Sequence, residues 1–416
     1  MIRPMHLDER FLSLHDFELA ARRRLPRGLF GFVAGGSADG WSAANNRAAF
    51  DRWAFVPRTL EAGPTRSQEI TLLGQRFASP CGIPPLGVSA LFAFDADVAM
   101  ARAAARARVP FILSGASLTP MERIFEAWPQ AWFQAYLDAD RARTGRLIGR
   151  LQRTPCDVLV VTVDTPVAPS RELSLRHGFS IPVRPGLRLV ADTLVHPAWL
   201  LGTAARSFFA GGIPRMENLD AGPLHRVTEA PAGPPPAPLS WDDLRWIRQQ
   251  WPRKLVVKGV VSAPDAVRYR QLGVDGLIVS NHGGRQLDGT LAPLDALPAL
   301  RAAVPGLPLL LDGGIRRGTD VMKALALGAA CTFSGRPMLF AAAAAGEAGV
   351  ARALEILRAE IDRSQALLSV RELSEVTRAH LVRAGEALHV PARAQGAGLD
   401  DAPDATTLAR AGRIAA

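Results

Sequence analysis

Residues 255–279, LVVKGVVSAPDAVRYRQLGVDGLIV, contain one complete repeat of the pattern that predicts the fold. An apolar run at 255–260 is followed by a helical segment at 264–272 and by a second apolar run at 276–279. Both runs are apolar almost throughout, whereas a strand with one face in water alternates apolar and polar residues. The stretch therefore predicts two parallel strands joined by a helix, in a sheet that is covered on both faces.

The same pattern recurs along the chain from residue 80 onward. Six further apolar runs lie at 81–83, 109–113, 131–137, 157–163, 307–311 and 331–334. Helical segments such as 97–108 and 319–327 separate them. Eight strands with crossover helices predict an α/β protein with a (β/α)8 TIM barrel, and a doubly wound open sheet is the alternative that the pattern leaves open.

Three stretches fall outside this repeat. Residues 1–79 are predicted to form an N-terminal helical cap on a barrel that spans 80–392. Residues 174–240 form a long insertion after the fourth strand, and a barrel loop of this length is a lid, a contact surface or disordered. Residues 393–416, rich in Ala, Gly and Arg, are predicted to be a mobile tail.

The composition argues against several classes of protein. The 416 residues carry a formal net charge of +10, but the basic residues are dispersed, which argues against nucleic acid as a partner. Three widely spaced cysteines fit no disulfide framework, and no cluster has metal-ligand spacing, so we predict no metal. No apolar stretch reaches the roughly 18–20 residues of a membrane span. We therefore expect a cytoplasmic protein.

Polar residues occur at the predicted strand ends, where barrels of this type carry their active sites. They are Ser114, Gln134, Tyr136, Thr162, Asp164, Lys258, Ser280 and His282, with Arg171 and Arg285 in the loops that follow. Period-two spacing directs Gln134 and Tyr136 to one side of the third strand. These residues are therefore predicted to share one site.

Two glycine-rich loops follow the seventh and eighth strands. The first reads Asp312-Gly313-Gly314-Ile315-Arg316, and the second contains Gly335 and Arg336. Glycines let backbone N–H groups approach an anion, and arginines add charge-assisted hydrogen bonds. Either loop alone also fits a tight turn with solvated arginines, but two adjacent loops favour a ligand that bears a phosphate.

Lys258 and His282 each admit more than one interpretation. Lys258 is one of three lysines and follows an apolar run, so it is a Schiff-base lysine, a cation facing a reduced flavin, or half of a structural ion pair. His282 has Asp164 within plausible reach, and an aspartate orients an imidazole that acts as a base. The arginine fork of Arg285 suits a substrate carboxylate. We expect a catalytic rather than a structural histidine.

The stretch 280–288, SNHGGRQLD, resembles the signature of the FMN-dependent 2-hydroxy-acid oxidase and dehydrogenase family. That family includes glycolate oxidase, L-lactate dehydrogenase and mandelate dehydrogenase. The resemblance spans residues 15–385 and includes FQAY at 133–136, TVDTP at 162–166, KGV at 258–260, DGGIRRGTD at 312–320 and SGRP at 334–337.

The resemblance implies FMN as the cofactor and oxidation of an (S)-2-hydroxy acid to the 2-keto acid. It implies that His282, oriented by Asp164, takes the hydroxyl proton while flavin N5 receives the hydride equivalent. It places Arg171 and Arg285 on the substrate carboxylate and Tyr136 near the reacting carbon. It assigns the flavin ring and ribityl chain to Pro85, Leu86, Gly87, Ser114, Gln134, Thr162, Lys258 and Ser280. It assigns the ribityl-phosphate end to Asp312, Gly313, Gly314, Ile315, Arg316, Gly335 and Arg336. A homotetramer is also implied.

The sequence departs from the family pattern at three places. Phe32 stands where a tyrosine usually helps to bind the carboxylate, so we expect a substrate that is larger or more apolar than glycolate, such as mandelate. Leu86 replaces the usual threonine, and the stretch 169–173 is less basic than usual although Arg171 remains.

Two features favour a dehydrogenase over an oxidase. Gly87 lies at a position where oxidases of the family often have alanine and several dehydrogenases have glycine. The HPAW stretch at 196–199 resembles that of the bacterial lactate and mandelate dehydrogenase branch. The resemblance implies oxygen or a quinone as electron acceptor, with peripheral contact to the inner membrane through residues 190–215. A related FMN barrel that catalyses isomerisation, a repurposed flavoprotein acting on a non-standard hydroxy substrate, and a non-catalytic flavin-binding module remain as alternatives.

Overall fold

The computed structural model describes residues 6–59, 65–184, 186–219, 226–229 and 237–385, and the predicted tail at 393–416 lies outside them. Eight parallel strands form its central sheet. We number them β1 (Cys81–Gly82), β2 (Ile112–Ser114), β3 (Trp132–Ala135), β4 (Val158–Thr162), β5 (Lys254–Val260), β6 (Gly276–Val279), β7 (Leu309–Asp312) and β8 (Cys331–Phe333). Each of the eight predicted apolar runs therefore contains or overlaps one strand.

The sheet closes on itself. Strands β2 to β8 pair in chain order, and β8 pairs with β1. The junction of β1 with β2 is a parallel bridge between Ile83 and Phe111. Here Ile83 N donates to Pro110 O at 2.9 Å and Ile112 N donates to Ile83 O at 3.0 Å. The predicted (β/α)8 barrel is thus confirmed, and the open-sheet alternative is wrong.

Alternate residues of the strands face the barrel interior. Near the amino ends they are apolar and form one buried cluster, which includes Ile112, Trp132 and Val158. Two positions further along several of the strands, the residue on the same face is polar. These polar residues are Gln134 after Trp132, Thr162 after Val160, Lys258 after Val256, Ser280 after Ile278 and Asp312 after Leu310. The pleat therefore places the polar residues together at the carboxyl end.

Helices surround the barrel and bury the other face of the strands. Those that follow successive strands are Ala96–Ala107, Met121–Ala127, Arg141–Gln152, Trp241–Gln250, Ala263–Gln271, Pro293–Ala303, Gly318–Ala326 and Arg336–Leu367, the last of which non-helical backbone at Ala345 and Gly346 divides in two. The predicted segments 97–108, 264–272 and 319–327 are each displaced by one residue from the helices observed. Outward-facing strand residues and helix residues form the larger of the two apolar clusters.

The N-terminal part is not wholly helical. Its helices are Leu7–Arg10, Leu14–Arg24, Arg27–Ala34 and Trp41–Asp51, and a strand at Trp53–Phe55 pairs with Leu381–Arg383. An antiparallel hairpin, Ile70–Leu72 with Gln75–Phe77, follows them. Its Leu72 and Phe77 join the interior cluster, so the hairpin closes the amino end of the barrel.

The insertion after β4 contains short helices with apolar side chains in solvent. The helices are Glu172–Arg176, Leu187–Leu194, Pro197–Trp199, Leu200–Ala205 (a π-helix) and Arg206–Gly211. Leu187 is 91% exposed and Phe209 is 85% exposed. Trp199 Nε1 donates to Leu91 O at 2.9 Å, which ties the helices to the loop after β1. Within the described residues, no helix combines the length and apolar character needed to cross a membrane.

Candidate active site

A cavity of about 980 Å³ opens at the carboxyl ends of the strands. Most of the predicted site residues line it: Phe32, Pro85, Leu86, Gly87, Tyr136, Thr162, Arg171, Lys258, His282, Arg285, Asp312, Gly313, Gly314, Ile315, Arg316, Gly335 and Arg336. The other four, Ser114, Gln134, Asp164 and Ser280, are hydrogen-bonded to lining residues or to each other. The structure therefore brings all the predicted residues to one place.

His282 and Asp164 form a hydrogen-bonded pair. The distance from His282 Nδ1 to Asp164 Oδ1 is 3.0 Å. His282 has a φ of +59°, a left-handed conformation that is uncommon outside glycine, and its backbone N–H donates to Ser280 Oγ at 3.0 Å. Gln286 Nε2 donates to the carbonyl of Asp164 at 2.9 Å. Contacts from both sides thus fix the pair.

Burial and neighbouring charges determine the protonation of this pair. Burial lowers the pKa of His282, the positive charge of Lys258 lowers it further, and Asp164 opposes both effects. Burial alone would raise the pKa of Asp164, but the hydrogen bond from His282 and the charge of Lys258 outweigh it, so that pKa is lowered. The pair at neutral pH is therefore a carboxylate and a neutral imidazole. When Nδ1–H donates to Asp164, Nε2 keeps a free lone pair.

Lys258 is a buried cation in the cavity wall. Its Nζ donates to Ser280 Oγ at 2.9 Å and lies 3.1 Å from Asp312 Oδ2. Burial lowers the pKa of Lys258, but Asp312 and Asp164 raise it by more, so the lysine remains charged. The ion pair uses only one oxygen of the Asp312 carboxylate, because Oδ1 is buried without a hydrogen-bond partner among the described residues.

Two arginines flank the ring of Phe32. The guanidinium carbon of Arg171 lies 4.7 Å from the ring centroid, and that of Arg285 lies 5.0 Å from it. Arg285 Nη1 also donates to the Phe32 carbonyl at 2.6 Å. Within the described part of the chain, Arg171 Nε is buried with no hydrogen-bond partner. The cavity thus offers a buried donor with an unmet hydrogen bond.

A second group of positive charges lies at the loops after β7 and β8. Burial lowers the pKa of Arg336 to about 10, and the nearby Arg316 contributes. Arg336 Nε and Nη2 donate to the carbonyls of Val33 and Gly35 at 2.9 and 2.8 Å. Burial and the charges of Arg171 and Arg336 lower the pKa of Arg285 well below its ordinary value. Such mutual repulsion favours anionic ligands in the cavity.

Several contacts that shape the site were not predicted from the sequence. Asn46 and Asn281 exchange amide hydrogen bonds of 2.7 and 2.8 Å, which join the helix Trp41–Asp51 to the loop after β6. Arg47 Nη1 donates to the carbonyl of Gly314 and, at 2.6 Å, to Asp320 Oδ2. Asn281 follows directly on Ser280 in the signature stretch, which is the one local signal for these contacts.

Gly259 is a further residue that sequence reasoning missed. Its φ is +104°, and a Cβ at this position would lie 2.6 Å from Asp164 Cγ. The pairing of β5 with β6 is irregular between Lys258 and Val260, so a bulge places Gly259 against the carboxylate. Only glycine leaves room for Asp164 here.

The cavity fits a flavin mononucleotide. Its volume lies at the upper end of the range typical of ligand sites, and it combines an apolar wall with buried cations. Gly313 and Gly314, which follow β7, have positive φ, and they line the cavity together with Arg316 and Arg336. Asp312 Oδ1, which has no partner in the described part of the chain, and the charged Lys258 add polar groups that a flavin ring or ribityl chain can satisfy.

Comparison with known proteins decides the family. The model of a family described as FMN-dependent dehydrogenase matches residues 21–383. The chain belongs to the FMN-dependent dehydrogenase family. The family assignment, FMN as the cofactor and the class of FMN-dependent oxidoreductase were all predicted, and all three are confirmed.

Individual family members are similar over most of their length. An (S)-mandelate dehydrogenase of Pseudomonas putida is 35% identical over 383 residues, which are 91% of this chain and 96% of that protein. An L-lactate dehydrogenase of Alcaligenes faecalis is 36% identical over 375 residues, or 89% and 98% of the two chains. The crystal structure of the monotopic membrane protein (S)-mandelate dehydrogenase has a TM-score of 0.81 and 34% identity. It covers 90% of this chain and 99% of that one.

Proposed function

We propose that this protein oxidises an (S)-2-hydroxy acid, larger or more apolar than glycolate, to the 2-keto acid. The observation that carries the proposal is the contact of 3.0 Å between His282 Nδ1 and Asp164, in the same cavity as Arg171 and Arg285. A base and a carboxylate-binding group are the two features that this substrate class requires. The similar proteins named mandelate and lactate dehydrogenase support this class.

His282 acts as the base in this proposal. Its lowered pKa keeps the imidazole neutral at physiological pH, and Nε2 is free to accept the proton of the substrate hydroxyl. Asp164 then stabilises the imidazolium that forms, because its own lowered pKa keeps it ionised. Tyr136 lines the same cavity, and burial raises the pKa of Tyr136, so it stays protonated and able to donate a hydrogen bond near the reacting carbon.

Arg171 and Arg285 bind the substrate carboxylate. Arg171 contributes the buried Nε that has no hydrogen-bond partner among the described residues. Arg285 is held by the carbonyl of Phe32, whose ring packs against both guanidiniums. A phenyl ring orients the arginines but donates no hydrogen bond. The carboxylate therefore contributes less binding free energy, and the side chain of the substrate must contribute more, which favours a mandelate-like acid over glycolate.

The cofactor would be held along the cavity from β1 to β8. Pro85, Leu86, Gly87, Ser114, Gln134, Thr162, Lys258 and Ser280 would contact the ring and the ribityl chain, and Asp312, Gly313, Gly314, Ile315, Arg316, Gly335 and Arg336 would hold the ribityl-phosphate end. When bound, FMN would supply the two-electron acceptor for the hydride equivalent that leaves C2 of the substrate. Lys258 would place its positive charge against the flavin.

We propose a dehydrogenase rather than an oxidase, with peripheral membrane contact through residues 190–215. Leu194, Leu201 and Phe209 in this stretch have exposed apolar side chains. The similar (S)-mandelate dehydrogenase structure is that of a monotopic membrane protein, which supports such contact. A membrane quinone is then the electron acceptor, with oxygen as the competitor. We further propose that the protein forms a homotetramer.

Anaerobic flavin bleaching tests the proposal. The purified protein is mixed without oxygen with glycolate, (S)-lactate, a long aliphatic (S)-2-hydroxy acid and (S)-mandelate, and the loss of oxidised-flavin absorbance is followed. We expect the larger acids to bleach the flavin fastest. A flavin that none of these acids bleaches would contradict the proposal and favour a non-catalytic flavoprotein.

A further inference from the structure

The insertion returns to the barrel through a segment, residues 214–219, that is fixed by a buried asparagine. Asn218 is 1% exposed. Its Oδ1 accepts a hydrogen bond of 3.0 Å from the backbone N–H of Met121, and its Nδ2 donates to the carbonyl of Thr119 at 2.8 Å. One side chain thus bonds two backbone groups between β2 and β3. A shift of the segment would remove the bond to the Met121 N–H and would leave the Thr119 carbonyl with only the longer bond of 3.3 Å from Ser117 Oγ.

The backbone on either side of this asparagine is also held. Glu217 N donates to the Ser117 carbonyl at 3.3 Å, and Arg150 Nη1 donates to the Glu217 carbonyl at 2.9 Å. Arg143 donates through Nε and Nη2 to the Leu219 carbonyl at 3.3 and 3.2 Å. These contacts all reach barrel elements, whereas the exposed helices of the insertion precede the segment.

The fixed segment presents two apolar side chains to the cavity. Met216 and Leu219 both line it, and Met216 also packs against the main apolar cluster. Ile181 and Leu239, from the start and end of the insertion, line the same cavity. The insertion therefore has two parts: an outer set of helices with exposed apolar residues, and an inner apolar wall anchored to the barrel.

We propose that Met216 and Leu219 are specificity-determining residues that contact the side chain of the substrate, and that Asn218 is their positioning residue. The inference rests on the proposed oxidation of a 2-hydroxy acid. In that reaction the carboxylate is taken by arginines and the hydroxyl by His282, so the substituent on C2 is the part left for an apolar wall. A contact of this kind discriminates between side chains by about 10- to 200-fold for each methylene-sized change.

The test compares Met216→Ala and Leu219→Ala with the unchanged enzyme. Anaerobic flavin reduction is measured as kcat/KM for glycolate, (S)-lactate, (S)-2-hydroxyoctanoate and (S)-mandelate. We expect each variant to lose about tenfold or more with the last two acids, as a lost apolar contact predicts, and to keep the activity with glycolate, which has no side chain to contact. Leu187→Ala is the matched control, because Leu187 belongs to the same insertion, lies outside residues 190–215, is 91% exposed and is not among the lining residues.

Asn218→Asp tests the positioning role. The substitution keeps the size of the side chain but replaces the group that donates to the Thr119 carbonyl with an oxygen. We expect the same loss of selectivity for large acids with normal flavin content, which a general loss of folding would not produce. Unchanged selectivity would overturn the role of Asn218.

The outcomes separate this inference from the proposed function. An unchanged enzyme whose flavin is reduced by none of the four acids overturns the proposed function, and this inference with it. A second outcome is that the unchanged enzyme is reduced normally, while the Met216 and Leu219 variants lose activity equally with all four acids or with none. That outcome overturns the apolar wall alone. A variant that loses activity with glycolate but keeps it with mandelate overturns it as well.

Discussion

Replacement of Asp164 by asparagine tests the role of His282 as a base. Asparagine has the same size and can still accept a hydrogen bond from His282 Nδ1 across the observed 3.0 Å, but it carries no charge. A hydrogen bond to a charged group contributes about 1.5–3 kcal/mol. Since about 1.4 kcal/mol corresponds to a factor of ten, we expect flavin reduction to slow roughly 10- to 150-fold. The loss is greater if the amide NH2 turns toward Nδ1 and moves the ring proton to Nε2.

The pH dependence of this variant has a definite direction. Asp164 raises the pKa of His282 against burial and Lys258, so its removal lowers that pKa further. The base acts in its neutral form, and kcat/KM therefore falls as the pH drops below the pKa of the free enzyme. We expect the acid limb of the profile to move to lower pH in Asp164→Asn.

Anaerobic stopped-flow measurement of flavin reduction across this pH range checks both expectations. Asp242→Asn is the control, because the Asp242 side chain is 76% exposed and pairs only with Arg245 among its described ion pairs. A reduction rate within about twofold of the unchanged enzyme, well short of the loss expected for a charged hydrogen bond, would refute the reasoning. An acid limb that moves to higher pH would refute it as well.

Three further variants, with Gly273→Ala as a control for one of them, test neighbouring parts of the site. His282→Ala should retain FMN, seen in the absorbance of the purified protein, but lose nearly all flavin reduction; substantial reduction would exclude His282 as the base. Phe32→Tyr should raise kcat/KM for glycolate and lactate roughly 2- to 12-fold, since a restored hydrogen bond contributes about 0.5–1.5 kcal/mol, and an unchanged value would contradict the missing-hydroxyl argument. Gly259→Ala should displace the Asp164 carboxylate and slow reduction as Asp164→Asn does. Gly273→Ala, at a φ of +81° with open space around it, should lower thermal stability alone, and equal reduction rates in the two glycine variants would exclude the steric argument.

The strands were predictable because their signal is local. Each contains or overlaps an apolar run that a helix-compatible segment separates from the next, and the period-two spacing of Gln134 and Tyr136 predicted that the two side chains lie on one side of the third strand. Closure of the barrel was not decided by this signal, since the same repeat builds open sheets. It depends on the single junction between Ile83 and Phe111.

The contacts that complete the site were not predictable in the same way. Asn46 and Asn281 are 235 positions apart, and Arg47 and Gly314 are 267 positions apart. No local pattern marks such pairs, because they meet only after the barrel has closed and the N-terminal helices have packed across it. The hairpin that closes the amino end of the barrel was missed because its two strands have only three residues each, which is too short for period-two alternation to stand out.

The hydrogen bonds from Arg285 and Arg336 to the backbone at Phe32, Val33 and Gly35 also bear on the order of assembly during synthesis. The Val33 carbonyl is held by the side chain of Arg336, which is synthesised 303 positions later in the chain. The helix Arg27–Ala34 of a nascent chain therefore lacks the hydrogen bonds from Arg336 until β8 and the helix after it have been synthesised. Contacts of such long sequence separation form slowly. We therefore expect the site to be among the last parts of the chain to take its final form.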